Sequence, residues 1–324
     1  MLNKIRTFIL LGLLLPGLAA QAAFAQDPTV SEVRQAIAEK HLAWTAGETT
    51  VSAMSAEQRK HLVGGLKGPA GSAPAWQPSV KMASLPAAFD WRDSNGKNYV
   101  TPVRNQGQCG SCYIFGTVAA LESQLLLKYA RPGTDLNLSE QIPLACDSAA
   151  GNCTAGGYAS MIATYLHDTG TALETCYPYI AAAGDCGDAC ANWQRAPFTL
   201  DSYTVLSDRT EEEIKTALMT TGPLTVWMRV YADFDHYEGG VYSYATGEDK
   251  GGHFILLIGW DDARSAFLCK NSWGTGWGVS GYFWIAYSQM QNSVGFASYA
   301  LALSGGVWPM GATAPLELLL LNGQ

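Results

Sequence analysis

The segment at residues 106–112, Gln-Gly-Gln-Cys-Gly-Ser-Cys, contains residue types that carry out nucleophilic chemistry. A cysteine attacks a carbonyl carbon only as the thiolate, and a free thiol is mostly protonated near neutral pH. The positive end of a helix and a neighbouring imidazolium both lower the pKa of a thiol. Apolar residues recur at helical spacing from Cys112 to Lys128. We therefore expect Cys112 in the first turn of a helix with one buried face, as a candidate nucleophile.

A cysteine nucleophile needs a base, and His253 is the best candidate. It precedes the apolar run at residues 254–260, which is typical of a buried strand. An imidazole on such a strand can take and return the proton of the thiol. Two of the other histidines precede the predicted start of the mature protein, and two lie in surroundings typical of surface residues. These four are His41, His61, His167 and His236.

The base in turn needs a partner that fixes its tautomer, and Asn271 is the candidate. Its amide oxygen can accept a hydrogen bond from the imidazole without placing a net charge beside it. Trp273 would shield this bond from water. Gln106 would supply a side-chain N–H that, with the backbone N–H of Cys112, stabilises the negative charge on the attacked oxygen.

The sequence around these residues resembles that of papain-like cysteine peptidases. Residues 109–113 match the signature C-G-[SA]-C-[WY], with Tyr113 where the family usually has tryptophan. His253 follows Cys112 by 141 residues, within the roughly 130–150 of the family. Further motifs occur in family order at residues 85–92, 138–141, 153–158, 177–179, 222–223, 239–240 and 271–274. The resemblance covers residues 85–303.

The resemblance implies an α+β fold of two lobes. A helical lobe would carry Cys112, and an antiparallel, β-barrel-like lobe would carry His253 and Asn271, with the active-site cleft between them. It also implies that the backbone of the loop at Gly156, Gly157 and Tyr158 binds substrate as a short strand. Implied disulfides are Cys109–Cys153, Cys146–Cys186 and Cys176–Cys190, which leave Cys112 as a reactive thiol and Cys269 as a buried one.

Three positions depart from the family pattern in the predicted cleft. Gly252 precedes the histidine where an aspartate or asparagine is frequent, and Phe254 follows it where alanine or glycine is usual. Trp227 aligns with a wall of the main specificity pocket, where valine or alanine is common. Two large rings there would make the pocket shallow, so we expect leucine or phenylalanine to be disfavoured at the second residue before the cut. The alternative is that either ring turns into the core. Trp273 is a further expected substrate contact.

The N-terminal part of the chain indicates export and processing. Residues 1–25 have the charged region, the short apolar run and the A-x-A site of a secretory signal peptide. Residues 26–84, called the prosegment below, contain two capping boxes, Thr29-x-x-Glu32 and Ser55-x-x-Gln58. The run Trp44-Thr-Ala-Gly-Glu48, followed by Leu66 and Gly68-Pro69, resembles the short inhibitory propeptide of cathepsin-B-like enzymes. The alternative is a plain linker. Residues 85–324 would form the catalytic domain, with the tail from about residue 305 unassigned.

The amino-acid composition limits the classes of partner that the protein can bind. Residues 85–324 contain 12 lysines and arginines against 23 aspartates and glutamates, an acidic balance that argues against nucleic acid and anionic membranes. Eight cysteines fit an oxidising compartment. No segment is long enough for a membrane span, and we expect a monomer without metal or cofactor. The compartment would be extracellular or periplasmic, or alternatively lysosome-like.

These observations predict a secreted cysteine endopeptidase made as a zymogen. The 186–200 stretch is too short for the loop that blocks the cleft in cathepsin-B-type exopeptidases, although aminopeptidase or dipeptidase activity is an alternative. A second alternative is a catalytically silent relative that only binds peptides. A third is a structural zinc module that uses the pairs Cys109/Cys112 and Cys186/Cys190, but the offset of 74 in residue number from Cys112 to Cys186 far exceeds the usual spacing.

Overall fold

The computed structural model describes residues 27–68, 74–77 and 84–309. The predicted signal peptide, parts of the linker and residues 310–324 lie outside these ranges. The prosegment contributes helices α1 (Val30–Glu39) and α2 (Ala56–Lys60) and strands β1 (Trp44–Ala46) and β2 (Gly65–Leu66). Both predicted capping boxes are formed, because each N-cap side chain and its N3 partner exchange hydrogen bonds with the backbone.

The helical lobe is built around one long helix. After the short strand β3 (Ala88–Asp90) come α3 (Cys112–Lys128), α4 (Gln141–Cys146), β4 (Gly151–Asn152), β5 (Gly156–Tyr158) and α5 (Ala159–Asp168). Helix α3 begins at Cys112, as predicted, but the expectation of a single buried face is wrong. Its first 15 residues are all buried, because α5 packs on one side of α3 and the main sheet on the other.

The second lobe is a large sheet with one helix. Its elements are β6 (Ser202–Ser207), α6 (Glu211–Thr221), β7 (Leu224–Tyr231), β8 (Tyr237–Tyr242), β9 (Asp249–Asp261), β10 (Ala266–Lys270), β11 (Tyr282–Ala286) and β12 (Tyr299–Ser304). The strand order is β1-β8-β11-β10-β9-β7-β12-β6, with β3 also paired to β9. The predicted antiparallel pairing is confirmed except between β8 and β11, which run parallel. The prosegment strand β1 forms one edge of this sheet.

Three disulfides staple the helical lobe. They are Cys109–Cys153, Cys146–Cys186 and Cys176–Cys190, the pairs that the family resemblance implied. Cys112 and Cys269 are free and buried, also as expected. The zinc alternative is excluded, because the disulfides take up three of the four thiolates it requires.

Residues 305–309 are not loose. Val307 pairs with Thr199, and the ring of Trp308 packs against those of Tyr129 and Phe198. Throughout the described ranges, every helix is too short or too polar to cross a bilayer.

Candidate active site

Cys112 is held at the N-terminus of α3 by its neighbours in sequence. The disulfide from Cys109 and the hydrogen bond from the Gly110 N–H to the Cys153 carbonyl (2.8 Å) fix the preceding loop. Ser111 is the N-cap residue, and its side chain does not cap the helix. The thiol therefore lies at the positive end of a 17-residue helix, as the spacing predicted.

His253 lies within β9 and is oriented by Asn271, which directly follows β10. The distance from His253 Nε2 to Asn271 Oδ1 is 2.8 Å. The same oxygen accepts the Ser272 N–H, so Nε2 of a neutral His253 must carry the proton. The Trp273 ring covers the imidazole at a centroid distance of 4.9 Å. His253 Nδ1 is buried and has no hydrogen-bond partner among the described residues, which leaves its lone pair available to accept a proton.

Cys112, at the start of helix α3, lies beside strand β9, which carries His253. The backbone N–H groups of Phe254, the residue after His253, and of Gly64 lie against the thiol. The predicted nucleophile therefore lies where α3 packs on β9, the strand that carries the predicted base, which is hydrogen-bonded to its orienting amide partner. In chemical terms, this arrangement permits transfer of the thiol proton to an imidazole whose tautomer is fixed.

Gln106 connects the two sides of this site. Its Nε2 donates to the carbonyl oxygens of Cys109 (2.9 Å) and Leu62 (3.1 Å). Its Oε1 accepts the Ser272 hydroxyl at 2.7 Å. The Trp273 Nε1 also donates to the Leu62 carbonyl, at 3.2 Å. A prosegment carbonyl therefore occupies the position to which the predicted oxyanion donor points.

The prosegment continues through the cleft as β2, parallel to β5. Gly64 donates its N–H to the Gly252 carbonyl (2.9 Å) and accepts from the Gly157 N–H (2.8 Å). The Trp227 indole N–H donates to the Gly65 carbonyl at 2.8 Å. Gly156 has a positive φ of 71°, and a side chain there would overlap the Gly64 carbonyl.

The other predicted contacts also lie along this path. Tyr158 pairs with Leu66 of β2, and Phe254 is fully buried with its ring edge at the cleft beside Gly65. The Tyr113 ring supports Gly157 from below. Both Trp227 and Phe254 therefore touch the chain in the cleft, and the alternative that either ring turns wholly into the core does not hold in this structure.

Burial favours the neutral forms of Cys112 and His253. Desolvation raises the pKa of Cys112 to about 12, although the surrounding backbone N–H groups oppose this rise. Desolvation also lowers the pKa of His253 to about 4, against the opposing effect of the hydrogen bond to Asn271. A thiol and a neutral imidazole are therefore the forms present between these two values.

Sequence reasoning missed several residues of the site. Ser272 orients Gln106, and the prosegment residues Leu62, Gly64 and Gly65 fill the cleft. The consecutive glycines Gly64 and Gly65 are a sequence signal that another part of the protein approaches the backbone closely there. The expectation that His236 is a surface residue is wrong. It is buried under the prosegment, with Nε2 3.0 Å from the Pro28 carbonyl oxygen.

A sequence model of the family described as "Papain family cysteine protease" matches residues 85–303. The chain belongs to the papain family of cysteine proteases. It is therefore a cysteine-type peptidase, and its two-lobed α+β fold is the papain-like fold. The matched region contains Cys112, His253, Asn271 and Gln106 and leaves out the prosegment.

Individual similar proteins align with different shares of the chain. It is 38% identical over 196 residues to Gamete and mating-type specific protein A of Dictyostelium discoideum, covering 59% of this chain and 41% of that relative. It thus spans less than half the length of that protein. Cathepsin B-like CP2 of Giardia intestinalis is 32% identical over 282 residues, covering 82% of this chain and 91% of that relative. The fold also matches proCathepsin B S9 from Trypanosoma congolense, with a TM-score of 0.75, 21% identity and coverage of 86% and 99%.

Proposed function

We propose that this chain is the zymogen of an exported cysteine endopeptidase that acts through Cys112, His253, Asn271 and Gln106. The hydrogen bond between His253 Nε2 and Asn271 Oδ1 carries the proposal, because it leaves His253 Nδ1 as the ring nitrogen that can accept a proton. The peptidase class follows from the family; the residue roles, the endopeptidase mode and export are the proposal.

In the proposed reaction, Cys112 Sγ bonds to the carbonyl carbon of the scissile peptide while His253 Nδ1 takes the thiol proton. The developing oxyanion receives hydrogen bonds from Gln106 Nε2 and the Cys112 N–H. The C–N bond then breaks, the leaving amine takes the proton from His253, and a thioester forms. Water attacks the thioester with His253 as the base, which releases a carboxylate product and restores the thiol.

The prosegment acts as an intramolecular inhibitor. It covers the thiol, and it runs parallel to β5, whereas a chain antiparallel to β5 would make the closely spaced bond pairs of an antiparallel ladder. We attribute its survival in the cleft to this direction of binding. Release requires loss of contacts with both lobes, including those of β1 and β2.

The endopeptidase mode is supported by the packing of residues 186–200. Cys186 and Cys190 are tied into the helical lobe by disulfides, and Trp193 packs with Ile142 and Tyr177. This stretch is therefore engaged with α4. Export is supported by the three disulfides and by the signal-like residues 1–25.

The test is digestion of an unfolded protein by the processed enzyme, followed by mass spectrometry of the products. We expect cuts at internal peptide bonds, abolished in Cys112→Ala and His253→Ala. Sequential release of single residues or dipeptides from one end would instead support the exopeptidase alternative. Absence of cleavage by an enzyme with an alkylatable Cys112 would support the silent peptide binder.

A further inference from the structure

Two aromatic side chains close the cleft at the point where the prosegment has two consecutive glycines. Phe254 is fully buried, and Trp227 is 5% exposed. A Cβ atom on Gly65 would lie 2.8 Å from Phe254 Cδ2 and 3.0 Å from the carbonyl carbon of His253. These distances are too short for non-bonded carbon atoms, so the prosegment has no room for a side chain at residue 65.

Trp227 uses the same space to bind backbone. Its indole N–H donates to the Gly65 carbonyl, across the cleft from the Gly157 N–H that binds the Gly64 carbonyl. The chain is thus held from both sides by donors that recognise carbonyl oxygens. Every peptide offers such oxygens, so this part of the cleft recognises an extended backbone and excludes bulk.

The floor beyond the rings is polar. The hydroxyls of Ser160 and Tyr299 are buried there, and a Cβ atom on Gly68 would lie 2.6 Å and 2.7 Å from them. The Phe254 and Tyr299 rings are neighbours, with centroids 6.2 Å apart. A leucine or phenylalanine side chain would have to displace a packed ring and would then meet hydroxyl groups, which is unfavourable on both counts.

We propose that the mature enzyme selects glycine at the second residue before the cut, with Phe254 and Trp227 as the residues that determine this specificity. The inference rests on the peptidase function proposed above. Gly64 contacts the Cys112 thiol, and Gly65 is the next residue along the cleft. In a substrate antiparallel to β5, the residue at the place of Gly65 precedes the cut. The substrate class is therefore extended, glycine-containing segments.

The test uses enzyme processed from the full chain and a set of internally quenched peptides that differ only at this position. The residues compared are glycine, alanine, leucine and phenylalanine. We expect kcat/KM to be about ten-fold to a hundred-fold higher for glycine than for leucine or phenylalanine, as overpacking a closed site implies. Equal or faster cleavage of the leucine or phenylalanine peptide would overturn the inference and leave the peptidase function standing.

Two variants separate the steric role from the backbone-binding role. Phe254→Ala should raise the leucine-to-glycine ratio of kcat/KM by about ten-fold, because it opens the space beside the substrate. Trp227→Phe keeps a ring but removes the N–H, so KM should rise about five-fold for all peptides without a change in their order. An unchanged ratio in the first variant, or an unchanged KM in the second, would contradict the corresponding role.

The failure of the peptidase function itself gives a different result. No peptide of any sequence would then be cleaved, although Cys112 of the processed protein reacts with iodoacetamide. That outcome overturns both proposals together. An altered order of preference overturns only the selection for glycine.

Discussion

The Trp227 indole, on strand β7, occupies the space that a side chain at Gly252 would need on the neighbouring strand β9. A Cβ atom on Gly252 would overlap the Trp227 Nε1, and it would also overlap the Gly65 carbonyl oxygen that this nitrogen binds. The indole therefore reaches the cleft only because residue 252 is glycine. The two departures from the family pattern are thus one structural change, in which a tryptophan occupies the space of a side chain at the residue before His253.

Gly65 fits closely in the cleft, so we expect a methyl group added at this residue to weaken inhibition by the prosegment. Gly65→Ala should raise the basal activity of the unprocessed chain, because the added Cβ meets Phe254 and the backbone of His253. Activity is measured with a small fluorogenic peptide before any processing occurs. Leu66→Ala is the matched control, because Leu66 is 40% exposed and its truncation should change little. Equal basal activity in the Gly65→Ala and wild-type chains would show that the cleft adjusts to the methyl group.

Burial of Cys112 and His253 predicts that Cys112 reacts slowly in the unprocessed chain. Its pKa is raised to about 12 and that of His253 lowered to about 4, so the reactive thiolate is scarce from pH 5 to pH 8 and its fraction increases with pH. After removal of the prosegment, alkylation should become fast at mildly acid pH. Mass spectrometry of iodoacetamide labelling against pH measures both states.

Cys269 serves as the internal control for that experiment, because burial raises its pKa and the cleft does not include it. It should stay unlabelled before and after processing. His253→Ala should abolish the fast labelling of Cys112 in the processed protein. Rapid labelling of Cys112 in the intact chain would contradict the neutral, covered pair.

The contacts of Gln106 predict a defect in kcat for its replacement. Gln106→Ala removes the side-chain N–H proposed to stabilise the oxyanion, and loss of one such donor costs about 100-fold to 1000-fold in kcat. KM should change little, because this hydrogen bond strengthens in the transition state. Steady-state kinetics on one peptide measures both constants.

Ser272→Ala is the matched variant, because it removes only the hydroxyl that holds Gln106 Oε1 at 2.7 Å. Its kcat should fall by about two-fold to ten-fold, in line with one neutral hydrogen bond. An unaltered kcat in Gln106→Ala would remove this residue from the oxyanion site.

A cluster of two basic and two acidic side chains joins the prosegment to the mature part. We expect the loss of one of these charges to destabilise the protein. Arg59 contacts Asp27 (2.7 Å) and Asp235 (3.2 Å), and Lys250 contacts the same two carboxylates (2.8 and 3.1 Å). Arg59→Ala leaves two largely buried carboxylates to one cation. In a Cys112→Ala background, we expect the free energy of unfolding to fall by about 1–3 kcal/mol at neutral pH.

The control for this prediction is Lys60→Ala, on the same helix. The pair of Lys60 with Glu57 is exposed on both sides, so its loss should leave the melting temperature nearly unchanged. Thermal unfolding of the three proteins against pH provides the measurement. Equal melting temperatures for Arg59→Ala and Lys60→Ala would mean that the cluster does not stabilise the prosegment.

The pH dependence of this cluster has a definite sign. Burial raises the pKa of Asp27, but hydrogen bonds from Lys250 and Arg59 outweigh that effect and hold it below its ordinary value. Its contribution to stability is therefore complete above about pH 4 and is lost as the pH falls further. Burial raises the pKa of Asp235, so this carboxyl takes up its proton at a higher pH. The penalty of Arg59→Ala should accordingly shrink on acidification, as both carboxyls become neutral.

Local patterns predicted much of this molecule. The capping boxes of α1 and α2 and the start of α3 at Cys112 depend on neighbours within one or two helical turns, so they can be read directly from the sequence. The family resemblance supplied the three disulfide pairs. These features can be recognised in the sequence because each of them requires one of a few residue types at a fixed position.

The features that were missed depend on distant contacts. His236 is buried by Pro28 and Gly47, about 190–210 residues away in the chain. Glu122 and Gln124 give α3 the pattern of a half-exposed helix, but Glu122 accepts from Thr101 and Leu138, and Gln124 donates to Thr221. Periodicity cannot distinguish a polar residue that faces water from one that has a buried partner.

Removal of the prosegment has a consequence for the large sheet. Strand β1 is its terminal strand, and β8 pairs with it through Trp44, Thr45 and Ala46. Once β1 is gone, β8 presents unpaired N–H and C=O groups beside a vacated aromatic pocket that Trp44 had filled against Tyr237 and Tyr242. We therefore expect the processed form to self-associate more readily than the precursor when both are stored at the same high concentration.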